Sequence, residues 1–172
     1  MNSTVRIALL AVLCTAAVAC SKKVKEEAPA AEPAPAEVPA ETTPAPTTGM
    51  YGPADLDTDA CLRQRVIYFD FDQDVLRPEF QAAVGCHSKY LRDRPTARIT
   101  LEGHADERGS REYNLGLGER RGNAVSSAMQ ANGGSAGQQM VTSYGEERPT
   151  CQDSSEDCWA KNRRVEIIYT AK

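Results

Sequence analysis

Residues 99–121 read I-T-L-E-G-H-A-D-E-R-G-S-R-E-Y-N-L-G-L-G-E-R-R, which combines a strand, a polar loop and the start of a helix. Ile99 and Leu101 alternate with polar neighbours, and this pattern indicates a strand with one apolar face. A helix is predicted from about 112 to 130, because Asn-Gly-Gly at 132–134 then stops the chain. The sequence therefore predicts a strand–loop–helix unit here.

One face of this predicted helix carries a charged residue among small and apolar ones. Arg121 shares a stripe with its neighbours by i, i+3 and i, i+4 spacing, whereas Arg120 is rotated by about 100° towards solvent. A buried guanidinium without a partner is destabilising by ~3–5 kcal/mol. We therefore expect Arg121 to have a carboxylate partner, in the protein or on a ligand. The stripe consists of Asn114, Leu117, Arg121, Ala124 and Ala128.

The loop between strand and helix supplies a candidate for the opposite charge. Asp106 lies just after the strand, close to where the helix begins. A carboxylate and a guanidinium held near each other can bind a zwitterion, because the carboxylate takes an ammonium and the guanidinium takes a carboxylate in a bidentate manner. The alternative is an internal Asp106–Arg121 salt bridge.

Outward from this unit, the chain continues to alternate strands and helices. A strand is predicted over 65–71, with Ile67, Phe69 and Phe71 on one face, and further strands over 140–144 and 165–169. A helix begins at Pro78-Glu79 and ends before Pro95. Its apolar stripe, in which His87 is predicted to be a core histidine, consists of Phe80, Val84, His87 and Leu91. The order β-α-β-α-β-β predicts an α/β (α+β) two-layer sandwich with helices on one sheet face.

Composition divides the 172 residues into unequal parts. All ten aromatic residues lie at or after Tyr51, and six of the ten prolines lie between positions 29 and 46. Because a packed core needs large apolar side chains, the folded domain is predicted over 55–172. Residues 20–54 are rich in Ala, Pro and Glu and are predicted to form a disordered tether.

The amino terminus has the pattern of an export signal. A short segment containing Arg6 precedes thirteen apolar residues at 7–19, and thirteen helical residues rise only ~20 Å, too short to span a membrane. Small residues precede Cys20, so 1–19 resembles a bacterial lipoprotein signal with Cys20 as the lipidated first residue. The alternative is a soluble secreted protein cut near Ala19.

The remaining cysteines are even in number, as expected for disulfides in an exported domain. Three pairings of Cys61, Cys86, Cys151 and Cys158 are possible. Cys151 and Cys158 are close enough for a local loop, which leaves Cys61 with Cys86. A zinc site is the alternative, although no C-x2-C pair occurs.

Charge and motifs argue against several function classes. With 20 basic and 24 acidic side chains the chain carries a formal charge of −4, unlike a dedicated nucleic-acid binder. Asp70-Phe71-Asp72 resembles a phosphatase nucleophile or a calcium loop, but Asp74 and Val75 depart from those patterns. His104 invites a metal interpretation, but we expect it to line the loop or stack on a ligand. We expect no metal or cofactor, and a binding module rather than an enzyme.

Five separated motifs resemble, in the same order, the OmpA-like C-terminal domain family. They are I-Y-F-D-F-D at 67–72, G-H-A-D-E-R-G at 103–109, Y-N-L-G-L-G-E-R-R at 113–121, S-Y-G-E-E-R-P at 143–149 and K-N-R-R-V-E-I at 161–167. The resemblance covers about 62–170. Some members of the family carry a loop disulfide where Cys151 and Cys158 lie.

The resemblance implies a function and a set of site residues. In that family the site binds meso-diaminopimelate of the peptidoglycan stem peptide, a side chain that ends in both an ammonium and a carboxylate. Asp106 and Arg121 match the ligand residues, Asn114 and Leu117 match positions that seat the helix, and Arg164 matches the second Arg of N-R-R. Asp70 and His104 complete the candidate set. The resemblance also implies an outer-membrane lipoprotein facing the periplasm, with a Tol-system partner; a wall tether without that partner, or a wall-active enzyme, are the alternatives.

Overall fold

A computed structural model describes residues 49–172. The predicted signal peptide, Cys20 and nearly all of the predicted tether lie outside these residues. Within 49–172, no helix is long and apolar enough to cross a membrane.

The four strands and the two long helices follow one another in the predicted order, and three shorter helices are additional to the prediction. Two short helices come first, α1 (Asp55–Thr58) and α2 (Ala60–Arg63), and the remaining helices are α3 (Gln81–Asp93), α4 (Arg111–Ala131) and α5 (Glu156–Asn162). Short 3-10 turns precede α3 and the third strand, at Pro78–Phe80 and Ala136–Gln138. The strands are β1 (Val66–Tyr68), β2 (Arg98–His104), β3 (Gln139–Gly145) and β4 (Arg164–Ala171).

The four strands form one mixed sheet. Their order is β1-β4-β2-β3, in which β2 and β3 are parallel while β4 is antiparallel to both β1 and β2. The inward residues of the strands are buried, whereas Tyr68, Met140 and Ile168 on the opposite face are partly exposed. The sheet therefore has one face packed against helices, which confirms the two-layer α/β sandwich. The inward residues are Ile67, Ile99, Leu101, Val165 and Ile167.

Local signals explain where α4 begins and ends. The Ser110 hydroxyl accepts a hydrogen bond from the Tyr113 amide, as an N-cap does. The helix ends before Asn132, and Gly133 has a φ of 86°, a conformation that glycine adopts readily. The stop at Asn132-Gly133 is the one that the sequence predicted, whereas the Ser110 cap was not predicted, and α4 extends one residue beyond the expected bounds at each end.

The first strand differs from its prediction. It ends at Tyr68 rather than at 71, and the Phe71 side chain is 54% exposed instead of lying in the core. A turn begins at Asp70, and Asp72 has a φ of 56°. Because this turn breaks the two-residue alternation, Phe71 leaves the face that Ile67 occupies.

The packed region begins before α1. Tyr51 is buried in the core, where its ring lies 6.4 Å from that of Tyr90, and its amide donates to Asp93 Oδ2 at 2.8 Å.

Both disulfides form in the pairing that proximity favoured, Cys61–Cys86 between α2 and α3 and Cys151–Cys158 around the loop before α5. His87 is a core residue, as predicted: its ring bonds the Tyr169 hydroxyl and the Gln64 carbonyl.

Candidate functional site

Arg121 is fully buried and holds three backbone carbonyl groups together. Its guanidinium donates to the carbonyl oxygens of Gln73 at 2.7 Å, His104 at 2.8 Å and Asp70 at 3.1 Å. Burial lowers the pKa of Arg121 to about 10, so the side chain stays charged at neutral pH. These bonds use three of the five N–H groups of the guanidinium.

Within residues 49–172, no carboxylate forms an ion pair with Arg121. Asp106 raises the pKa of Arg121 through its charge, but the two side chains form no ion pair in the described part of the chain. The alternative interpretation, an internal Asp106–Arg121 salt bridge, is therefore not what the structure shows. Backbone carbonyls satisfy the guanidinium instead, because the turn that follows β1 and the end of β2 both point their oxygens at α4.

Asp106 is buried and bound by two other arginines. Its Oδ2 accepts from Arg108 Nη2 at 2.7 Å and from Arg163 Nη1 at 3.2 Å, while its Oδ1 accepts from the Arg108 amide at 3.1 Å. Although burial raises the pKa of Asp106, these hydrogen bonds outweigh it and lower the pKa below the ordinary value. The carboxylate is therefore ionised at neutral pH and fixed in orientation.

A cavity of about 260 Å³ brings Asp106 and Arg121 to one surface. Its lining residues include two aspartates, two arginines, two aromatic residues and a leucine. Such a cavity suits a small ligand with one charge of each sign at its end. The lining residues are Phe71, Asp72, Asp106, Arg108, Gly109, Tyr113, Leu117 and Arg121.

Asn114 and Leu117 support the site from α4. The Asn114 amide donates to the Asp106 carbonyl at 3.1 Å and also to the Glu146 carboxylate, so it joins the Asp106 loop to the end of β3. Leu117 is one of the lining residues. The structure thus places both residues beside Asp106 and Arg121.

Asp70 and His104 contribute backbone rather than side chain. The Asp70 carboxylate is 68% exposed and lies 3.9 Å from Arg77, outside the cavity lining. The His104 ring stacks on Tyr144 with a 5.6 Å separation of centroids, and burial lowers its pKa to about 4. The expectation that His104 lines the loop or stacks on a ligand is therefore wrong, since its ring is not among the groups that line the cavity.

Arg164 also lies away from the cavity. Its guanidinium donates to Glu166 Oε1 at 2.7 Å and to the Arg148 carbonyl, on the side of the sheet where His104 stacks on Tyr144. Arg163, which the sequence analysis left out, binds Asp106 instead. Strand alternation could have predicted this. Arg163 is two residues from the buried Val165 and four from the buried Ile167, so its side chain lies on the same face of the strand.

Arg108 is the second residue that the sequence analysis missed. It lies two residues after Asp106, lines the cavity, and has its guanidinium carbon 4.0 Å from the Phe71 ring centroid and 4.2 Å from that of Trp159. The sequence gives little indication that Arg108 belongs to a site, because a charged residue in a polar loop is ordinarily solvated. Within 49–172, no group of His, Cys, Asp and Glu side chains is arranged to hold a metal ion.

Comparisons with known proteins agree on one relationship. The sequence model of the OmpA family matches residues 68–163. The chain is 45% identical over 113 residues to the peptidoglycan-associated lipoprotein of Pseudomonas aeruginosa, an alignment that covers 65% of this chain and 67% of that protein. It is 38% identical over 125 residues to the protein of the same name from Haemophilus influenzae, covering 73% and 79%.

Solved structures extend the comparison to the fold. The crystal structure of the peptidoglycan-associated lipoprotein from Burkholderia pseudomallei aligns with a TM-score of 0.66 at 37% identity, covering 67% of this chain and 98% of that one. The C-terminal domain of Helicobacter pylori MotB aligns with a TM-score of 0.56 at 20% identity, covering 62% and 83%. The second likeness concerns the fold alone.

Proposed function

The chain belongs to the OmpA family, and from this premise we propose that its domain binds peptidoglycan noncovalently through meso-diaminopimelate of the stem peptide. The observation that carries the proposal is the cavity whose lining residues include both Asp106 and Arg121. The names of its relatives, peptidoglycan-associated lipoproteins, support the class of ligand.

The charges of the cavity match the end of that side chain. The ammonium group would bind Asp106, and the carboxylate would bind the two N–H groups of Arg121 that the backbone carbonyls leave free. Both side chains are already held in place by other residues, so binding need not order them. Preorganisation of this kind favours affinity.

Binding to purified sacculi tests the proposal. Asp106→Asn removes the charge that the ammonium needs while preserving size, and we expect binding to fall at least about tenfold. Asp57→Asn is the matched control, because it makes the same change at an exposed carboxylate that pairs with Arg65 and does not line the cavity. Circular dichroism and urea unfolding would verify that each variant is folded.

Ligand chemistry supplies a second arm of the experiment. Lysine-type peptidoglycan retains the ammonium but lacks the second carboxylate, so the wild-type chain should bind it much more weakly. Equal binding to both wall types, or undiminished binding by Asp106→Asn, would show that this cavity is not the site.

We also propose that the chain is anchored in the outer membrane. Residues 1–19 would be removed, Cys20 would carry the lipid, and the residues between Cys20 and Tyr51 would form the tether, since Tyr51 already lies in the core of the domain. Cys20→Ala should move the protein from the membrane fraction to the soluble periplasmic fraction. Retention of that variant in the membrane would contradict lipidation at Cys20.

The proposed role is binding without catalysis. We also propose that the protein binds a partner of the Tol system. Incubation of the pure protein with sacculi should release no soluble muropeptides, whereas a wall-active enzyme would release them. Co-purification with the Tol propeller protein from envelope extracts would distinguish a Tol-linked tether from a wall tether that acts alone.

A further inference from the structure

Arg108 is held between the cavity and the loop that the Cys151–Cys158 disulfide closes. Its guanidinium lies between the rings of Phe71 and Trp159, at 4.0 and 4.2 Å from their centroids. The same group donates to Asp106 Oδ2 at 2.7 Å. A guanidinium between two aromatic faces is stabilised by cation–π attraction on both sides, so the two rings favour the orientation in which Arg108 binds Asp106.

Trp159 is itself fixed from two directions. Its indole N–H donates to Glu107 Oε1 at 3.0 Å, and the Ser154 hydroxyl, inside the disulfide loop, donates to the same oxygen at 2.7 Å. The disulfide joins Cys151 to Cys158, the residue directly before Trp159. The loop therefore limits where the indole ring can lie.

The far end of the loop is also secured. The Asn162 side chain accepts from the Cys151 amide at 3.0 Å and donates to the Cys151 carbonyl at 2.7 Å. Arg163 follows directly and binds Asp106. The Cys151–Cys158 loop is thus connected to the Asp106 carboxylate in two ways. At one end Trp159 contacts Arg108, which binds Asp106, and at the other end Asn162 precedes Arg163, which also binds Asp106.

Arg108 orients Asp106 without filling its bonding capacity. A carboxylate has about four acceptor positions, and Asp106 uses three of them, two on Oδ2 and one on Oδ1. A position on Oδ1 remains for a ligand ammonium. Arg108 therefore positions Asp106 and does not block it.

We infer that Trp159, held by the Cys151–Cys158 loop, is a positioning residue that sets the affinity of the cavity for its ligand by keeping Arg108 on Asp106. This inference rests on the proposed function, since it concerns the same cavity. It assigns the disulfide loop a role in binding in addition to one in stability.

A pH dependence follows from this arrangement. Arg108 contributes most to lowering the pKa of Asp106, against burial, which raises it. When Trp159 no longer holds Arg108, the pKa of Asp106 should rise, and binding should weaken at a higher pH than in the wild type. The charged groups that face Asp106 from its own loop, α4, the turn after β1 and the α5 region are Arg108, Glu107, Arg121, Asp72, Arg163 and Glu156.

The experiment compares Trp159→Ala with Trp159→Phe in the full chain, using meso-diaminopimelate sacculi as the probe at several pH values between 7 and 4.5. Loss of one face of the cation–π contact should weaken binding by Trp159→Ala about fivefold at pH 7, and the deficit should widen as the pH falls. Trp159→Phe keeps an aromatic face over Arg108 and should restore most of the affinity and the wild-type pH profile.

The two disulfides provide a matched pair of variants. Cys151→Ser/Cys158→Ser should reproduce the effect of Trp159→Ala, whereas Cys61→Ser/Cys86→Ser should bind as the wild type does where circular dichroism shows it folded. If Trp159→Ala fails to fold, the Cys151/Cys158 variant decides the question in the same assay.

The outcomes separate this inference from the proposed function. If Trp159→Ala bound sacculi with the affinity and pH profile of the wild type, the inference alone would be overturned. A loss of affinity that is the same at every pH would also overturn it. A wild-type chain that does not bind sacculi would overturn both.

Discussion

Arg121 shows how one residue serves both the fold and the site. Its guanidinium joins α4 to the turn after β1 and to the end of β2 through the carbonyls of Gln73, Asp70 and His104. The guanidinium carbon of Arg121 lies 5.3 Å from the centroid of the Phe69 ring. A ligand carboxylate would meet a group whose position the fold has already fixed.

Arg121→Ala should therefore unfold the domain more easily as well as abolish binding. It leaves three carbonyls without their donor and opens a void, and we expect a loss of about 3 kcal/mol or more in the free energy of unfolding. Arg120→Ala, which removes an exposed ion pair with Asp74 and a contact between the guanidinium and the Tyr113 ring, should cost at most about 1 kcal/mol. Urea unfolding of both variants checks the difference, and equal losses would contradict the role given to Arg121.

The two histidines of the chain, His87 and His104, should control stability between neutral and mildly acidic pH. Burial lowers the pKa of each from 6.5 to about 4. The unfolded chain therefore binds more protons in this range, so the stabilisation is complete above pH 6.5 and is lost as the pH falls towards 4. Each histidine should contribute a slope of about 1.4 kcal/mol per pH unit in the middle of the range.

Unfolding by urea at several pH values from 7 to 5 measures that slope. His87→Gln and His104→Gln should each halve it, whatever they do to stability at pH 7. Because Asp93, Asp106 and Glu107 have lowered pKa values, their contribution is lost only at lower pH. A slope that survives removal of both histidines would contradict this assignment.

At the scale of elements, α4 and β2 approach so closely that only glycine fits between them. A Cβ on Gly103 would lie 1.9 Å from the Gly118 carbonyl oxygen, and a Cβ on Gly118 would lie 2.4 Å from Ser143 Oγ. This contact sets the distance from Asp106, just after β2, to Arg121 on α4.

Gly103→Ala should consequently separate the two elements and weaken both stability and sacculus binding. Overpacking of this kind costs about 1–3 kcal/mol, and more where backbone is the obstacle. Gly116→Ala is the control on the same helix: its Cβ would come no closer than 3.5 Å to Arg120 Nη1, and helix propensity should make it neutral or stabilising by up to about 1 kcal/mol. Thermal unfolding of the two variants in parallel tests the contrast, which would be refuted if Gly103→Ala were as stable as the wild type.

The sequence predicted elements better than it predicted side-chain directions at their ends. The strands, α3 and α4 came from periodicity and capping, which are local properties. Phe71 and His104 were misplaced because a turn and the last residue of a strand decide where they point. Val165 is buried in β4, so strand alternation places Arg163 rather than Arg164 on the side of the core, next to Asp106.

The site partners of Arg121 were beyond local reasoning. The sequence correctly predicted that the buried guanidinium needs hydrogen-bond partners. A carboxylate partner can be recognised from the residue type, but every residue has a carbonyl oxygen, so these partners cannot be recognised from the sequence. They come from a turn 48 residues away and a strand end 17 residues away. Only the packed arrangement of α4 against the sheet reveals them.

For the molecule as a whole, net charge opposes the proposed partner. Residues 55–172 contain 16 basic and 19 acidic side chains, or −3, and the peptidoglycan of a cell wall is also anionic. Bulk attraction therefore does not explain binding, whereas an ammonium on Asp106 and a carboxylate on Arg121 would. Both residues are buried, and buried pairs are screened by salt much less than exposed ones.

Sacculus binding should accordingly change little with ionic strength. Raising NaCl from about 50 to about 300 mM shortens the screening length from roughly 14 to roughly 6 Å, which weakens the repulsion between domain and wall as well as any attraction between exposed charges. We expect the affinity to vary by less than about threefold over this range. The measurement is a series of pull-downs with sacculi, in which a basic protein of similar size that adheres by bulk charge serves as the control and should be released. A loss of tenfold or more in this chain would indicate adhesion through surface charge, and would assign binding to a face other than the Asp106–Arg121 cavity.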